Sequence, residues 1–221
     1  MKKSAVLLAT LSLCALPAMA QVIFSDNFNS LSGPTPGYSF GDAVNSSHNY
    51  TAGVGVGGSV GAQVLSDFSS GPNGYGGVAF QYQNGNVTGN SSANLSDYTL
   101  SFDAMVNKAN GGFALIVQNW TGTFFSGTFS QSQYPSEITL PTANAFQHFS
   151  INLGTFNAGA VPTGQTWQIA WQMDEFTFGG PGTGDQLVID NVQLTMVPEP
   201  SSLALAVFGM ASFAFLRRRK S

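Results

Sequence analysis

The sequence predicts an all-β domain, an antiparallel β-sandwich of the jelly-roll type, flanked by an N-terminal signal peptide and a single C-terminal hydrophobic helix. Three observations carry this. Apolar and polar residues alternate over short runs, Gly and Asn turn pairs separate the runs, and helix signals are nearly absent between residues 21 and 196. Short strands joined by turns, with no helical interludes, pack as two antiparallel sheets rather than as an α/β fold.

Met1 to Ala20 reads as a secretory signal. Lys2 and Lys3 form the charged n-region, Ala5 to Leu16 the apolar h-region, and Ala18-Met19-Ala20 the small-residue cleavage site. Passage through the Sec translocon, cleavage by signal peptidase and a mature chain from Gln21 are expected. Leu11-Ser12-Leu13-Cys14 half resembles a lipobox, but Leu13 stands where a small residue is needed. Cys14 is the only cysteine. Without it the mature domain has no disulfide, no thiol nucleophile and no thiolate metal site, and must hold itself by its core or by a metal.

Thr51 to Gly61 is expected to be a flexible surface loop or a glycine-bearing strand. Gly53, Gly55 and Gly58 fit G-x-G-x-x-G, yet a dinucleotide site needs a strand before it and a helix after it. Gly57-Gly58-Ser59-Val60-Gly61 fits the nucleophile elbow, which needs an α/β sheet. Both matches are set aside.

Val78 to Gln83 is the next strand, ended by Asn84-Gly85. Tyr98, Leu100, Phe102, Ala104 and Val106 then alternate with Thr99, Ser101, Asp103, Met105 and Asn107, a strand with one buried face. Asn110-Gly111-Gly112 turns the chain, and Phe113 to Val117 returns as the second arm of a hairpin. Gly122 to Phe129, the run of Phe149, Ile151 and Leu153, and Trp167 to Met173 supply three more strands. Alternation places Trp167 and Trp171 in the core. In the last strand, Leu187 to Met196, the apolar phase passes from Leu187 and Ile189 to Val192 and Leu194, which predicts a bulge at Asp190-Asn191.

The chain closes on Val197-Pro198-Glu199-Pro200, an uncharged stretch from Ser201 to Leu216, and Arg217-Arg218-Arg219-Lys220. The prolines stop any preceding strand. As a helix the uncharged stretch is roughly 24 Å long at about 1.5 Å per residue, short of the ~30 Å hydrocarbon core, so it spans only with snorkelling or local thinning. The terminal basic cluster stays cytoplasmic by the positive-inside rule. An ordinary single-pass anchor would need no Pro-Glu-Pro. The combination resembles the PEP-CTERM sorting signal of Gram-negative bacteria. That resemblance implies recognition by an exosortase-type membrane protease, an inner-membrane intermediate, removal of the tail, and display at the cell surface or in the extracellular matrix. The organisation is thus signal peptide at 1–20, β-sandwich ectodomain at 21–196 and sorting signal at 197–221.

Charge narrows the partners. Lys108 is the one basic residue between Gln21 and Val197, against ten acidic residues, so the domain carries about −9. Nucleic acid and anionic lipid are poor partners for it, and cations and neutral polymers are better ones.

Candidate chemistry is sparse. The two histidines, His48 and His148, have no second His or Cys at ligand spacing. Asp174-Glu175 is the only adjacent carboxylate pair. A glycosidase needs two carboxylates facing one bond, about 5 to 9.5 Å apart, whereas neighbours in a strand point to opposite faces. Leu187 to Leu194 resembles the final strand of calcium-bearing, jelly-roll carbohydrate-binding modules of the galactose-binding-like type. That resemblance implies neighbouring first and last strands and a structural Ca²⁺ held by Asp190 and, as a looser match, Asp26. An Asp that caps a turn is the alternative for Asp190. Candidate sugar platforms are Tyr75, Tyr82, Trp120 and Tyr134, near Gln81, Gln83, Gln118 and Asn119.

The expected function is therefore non-catalytic: an exported surface or matrix protein with weak, calcium-supported contacts to exopolysaccharide in a biofilm. The alternative is a polysaccharide-active hydrolase or lyase using Asp174, Glu175 or His148. Adhesion between protein copies is a third possibility.

Overall fold

Strand-forming segments begin at the residue after the expected signal cleavage. In chain order they are β1 (Gln21–Asp26), β2 (Tyr38–Gly41), β3 (Val44–Ala52), β4 (Val60–Asp67), β5 (Tyr75–Tyr82) and β6 (Tyr98–Val106). There follow β7 (Gly111–Thr123), β8 (Ser126–Gln133), β9 (Ile138–Leu140), β10 (Gln147–Asn152), β11 (Thr166–Asp174) and β12 (Asp185–Met196). The computed structural model describes residues 20–29, 38–41, 44–67, 75–82, 95–123, 126–133, 136–156, 166–174, 178 and 184–196. The expected signal peptide up to Met19 and the C-terminal helix lie outside them. The only helical elements among the described residues are short 3-10 turns, as at Val56–Gly58.

The strands form two antiparallel sheets. The first runs β10-β6-β12-β4-β3, with β1 also paired to β12, and the second β2-β5-β11-β7-β8, with β9 also paired to β7. The first and last strands are neighbours, Phe24 opposite Leu194 and Asp26 opposite Val192. β12 loses register against β6 between Asp190 and Gln193, and Asn191 takes a left-handed φ of 51° there. This is the bulge that the shifting apolar phase predicts.

The core lies between the sheets. Every second residue of β6 is buried, from Tyr98 to Val106. Phe102 of the first sheet meets Phe113 and Trp171 of the second edge to face, with ring centroids 5.9 and 5.5 Å apart. Burying each such side chain is worth about 1.5–3 kcal/mol, and aromatic pairing adds about 0.5–1.5 kcal/mol.

Two expectations are corrected. β6 and β7 are not a hairpin: β6 pairs with β10 and β12, and β7 with β11, β8 and β9. The turn at Asn110, with φ 62°, carries the chain from one sheet to the other, so the two apolar faces meet across the core instead of sharing backbone hydrogen bonds. The strand expected over Gly122 to Phe129 is split. β7 continues to Thr123, which pairs with Ser126 at the start of β8, so the hairpin is here.

Candidate functional site

Asp190 sits on the bulge of β12 and is 1 % exposed. Its Oδ2 accepts the Val56 N–H at 2.9 Å and the Ser59 hydroxyl at 2.8 Å. Its Oδ1 accepts the Asn191 N–H at 2.7 Å. Within the Thr51 to Gly61 stretch, the ends belong to β3 and β4 and residues 53–59 are a built turn between them. It is closed by the Gly53 and Gly55 N–H groups donating to the Ser59 carbonyl at 2.9 and 3.0 Å. A Cβ on Gly55 would stand 2.4 Å from Ser59 Oγ and 2.6 Å from Asp190 Oδ2, so glycine is required here for close approach.

Asp26 ends β1 beside this carboxylate. Its Oδ1 accepts the Phe28 N–H at 2.8 Å, an Asx turn that holds Phe28 at a left-handed φ of 56°. Phe28 is buried and stacks on Tyr50, ring centroids 5.6 Å apart. A bulky residue there stores about 1–3 kcal/mol of strain, which such a turn must offset. Asp26 Oδ2 is buried without a hydrogen-bond partner. Burial raises the Asp26 pKa above its ordinary 3.8, the Phe28 N–H opposes this, and the Asp190 charge raises it further.

The side-chain groups at this junction are all hard oxygen: two mutually repelling carboxylates and the Ser59 hydroxyl. Such a set suits Ca²⁺, and the orphaned Asp26 oxygen is a place for a cation to be satisfied. Among the described residues no group of three or more His, Cys, Asp or Glu side chains is placed to hold a metal. Any ion here would complete its shell with carbonyls and water.

An open cleft of about 370 Å³ adjoins Asp26, with Ser25, Ser101, His148, Asn191 and Gln193 in its lining. His148 Nδ1 lies 2.9 Å from Asp103 Oδ1, and Asn191 Nδ2 donates to Asp103 Oδ2 at 2.7 Å. His148 belongs to the first sheet, whereas Asp174 ends β11 in the second, opposite Tyr75. Glu175 lies outside the described residues. Two of the groups considered for catalysis therefore belong to different sheets. Lys108 pairs with the buried Asp185 at the start of β12.

The second sheet locates the aromatic candidates by register. Trp120 stands opposite Thr166 and Phe129, in the phase opposite to the buried Ile169 and Trp171. Tyr75 shares that outward phase, and Tyr82, opposite Trp167, shares the phase of the core. Tyr134 lies outside the described residues, as do Val197, Pro198, Glu199, Pro200 and Ala18; Ala20 immediately precedes β1. The outward phase from Gly77 to Trp120 holds Gly, Ala, Ile, Gln, Thr and Trp and no charged residue. Ala114, Gln168 and Ala170 of this phase are all buried.

Sequence reasoning missed the part played by Val56 and Ser59, because a glycine-rich run carries no periodicity. It also missed Asp103 and Asn191, which only strand pairing brings to His148.

Residues 197–220 match the PEP-CTERM protein-sorting motif. The motif implies export and processing by an exosortase. No curated protein sequence matches the chain. Among solved structures, the fold is similar to the family 11 carbohydrate-binding module of Clostridium thermocellum in complex with a β-1,3-1,4-mixed-linked tetrasaccharide. That match has 14 % identity and a TM-score of 0.51, covering 80 % of this chain and 96 % of that one. The family 30 module of a Clostridium thermocellum cellulosomal cellulase matches at 13 % identity and TM-score 0.51, covering 82 % and 99 %. The CBM22-1 xylan-binding domain of Paenibacillus barcinonensis Xyn10C matches at 13 % and 0.50, covering 81 % and 97 %. The class defined is a carbohydrate-binding-module-like β-sandwich carrying a PEP-CTERM sorting motif.

Proposed function

We propose that this chain is an exported, non-catalytic glycan-binding module. It is sorted through an inner-membrane intermediate of a Gram-negative bacterium to the cell surface or matrix, where it contacts exopolysaccharide and contributes to biofilm. The observation that carries this reading is the outward phase of the second sheet, uncharged from Gly77 to Trp120, with Asp174 opposite Tyr75 at the next level. A neutral polymer meets hydrogen-bonding amides and aromatic faces there without a desolvated charge. The similar fold of modules that bind mixed-linkage glucan and xylan supports it.

A structural Ca²⁺ held by Asp26 and Asp190 is part of the same proposal. When bound, the ion neutralises the repulsion between the two carboxylates and fixes the junction of the first and last strands. The chain's own contribution is the turn at Val56 and Ser59, which orients Asp190. The enzymatic alternative has less to stand on, since His148 and Asp174 belong to different sheets.

Co-sedimentation of the exported protein with the producing organism's exopolysaccharide tests the proposal, with reducing ends measured in the same tubes. Retention without new reducing ends is expected. Release of reducing ends or unsaturated sugars would instead establish the enzyme.

A further inference from the structure

Two carboxylates face each other on the first sheet. Asp103 of β6 is opposite Asp190 of β12, and like charges directly opposite one another destabilise an antiparallel pair. Asn191 answers both. Its backbone N–H donates to Asp190 Oδ1 at 2.7 Å, and its side-chain amide donates to Asp103 Oδ2 at 2.7 Å. It does so from a left-handed φ of 51° on the bulge, a conformation that asparagine tolerates better than most residues. Asp103 Oδ1 meets His148 Nδ1 at 2.9 Å. The line from Asp103 through Asn191 thus ends on the carboxylate whose other oxygen holds Val56 and Ser59.

Resting on the calcium reading above, we infer that Asp103 is the positioning residue for the ion held by Asp26 and Asp190. It acts through Asn191. The bond to Asp103 holds the Asn191 side chain, this keeps the bulge in its left-handed turn, and the Asn191 N–H then fixes Asp190 beside Asp26. Both Asp103 oxygens are already engaged, one by Asn191 and one by His148, so its part is to orient a ligand and not to be one. Hydrogen-bond partners of metal ligands typically carry about 10–100-fold of the metal affinity. The competing role for Asp103 is charge alone, a third carboxylate that attracts a cation from a distance, and the two roles respond differently to substitution.

Calorimetric titration of the exported, chelator-treated protein with Ca²⁺ at physiological salt tests this. Asp103→Ala should weaken Ca²⁺ binding about tenfold. Asp103→Asn keeps an acceptor for the Asn191 amide and loses only a screened charge, so it should stay within about threefold of the parent. Asn191→Gly keeps the left-handed turn without the side chain and should weaken binding as Asp103→Ala does. In the double variant the two losses should not add, because each removes the same bond. The Asp103 side chain is 15 % exposed, so its replacement leaves the core in place, and chemical denaturation in chelator checks that each variant is folded. Parent affinity in Asp103→Ala, or additive losses in the double variant, overturns the positioning role. An equal loss in Asp103→Asn and Asp103→Ala assigns the effect to charge and overturns it as well. Failure of the parent to bind Ca²⁺ overturns the calcium reading and this inference with it, and leaves glycan binding to its own test.

Discussion

Asp190 accepts the backbone N–H of Val56 at 2.9 Å across 134 residues of sequence. One carboxylate on the last strand thereby fixes a turn in the first third of the chain, at the place where first and last strands meet. Three donors converge on it. Asp190→Ala removes the acceptor of three part-buried hydrogen bonds and should cost about 1–3 kcal/mol. Chemical denaturation checks this, and Asp190→Asn should recover part of the loss.

Gly55→Ala is the complementary change on the turn. The added methyl has no room against Ser59 and Asp190, so the turn must move off the carboxylate at a cost of about 1–3 kcal/mol. A lower melting temperature, with faster amide exchange at Val56, is the expected reading. An alanine variant as stable as the parent would mean that the turn is not packed on Asp190.

Asp26 gives a pH prediction with a definite sign. Its pKa is raised above 3.8, first by burial, so the folded chain holds this proton more tightly than the unfolded chain. In chelator its contribution is stabilising below 3.8 and is lost as pH rises through the raised value. Asp26→Asn should therefore increase stability in chelator at neutral pH. The gain should be under about 1 kcal/mol, because the group is partly exposed and water screens the repulsion. Added Ca²⁺ should stabilise the parent and not this variant, which paired thermal melts would read.

The sandwich was legible because β6 and β11 alternate cleanly, and the β12 bulge because its apolar phase shifts by one. Strand partners were not legible. Tyr98 to Val117 looks like a hairpin, since a turn of Asn and Gly serves a sheet-to-sheet crossing as well as a hairpin. The β7–β8 hairpin carries phenylalanine at positions 124 and 125, with no turn signal to mark it. At the site, Asp26 and Asp190 could be named from the closing-strand resemblance. The bonds from Val56 and Ser59 to Asp190 join a turn to a bulge more than 130 residues away, a contact that period-two patterns do not encode.

His148→Ala separates the binding and enzymatic readings further. The imidazole is exposed beside Asp103, and a surface substitution of this kind should change stability by no more than about 0.5 kcal/mol. Glycan retention should be unaltered in the same preparation. A loss of polysaccharide turnover on His148→Ala would point to catalysis.

The most direct measurement is retention of the exported protein on its producing organism's exopolysaccharide, in Ca²⁺ and in chelator. Retention in Ca²⁺ that weakens in chelator is the predicted result. Failure to bind in either condition would contradict the glycan-binding account and leave a sorted surface protein whose partner is another protein.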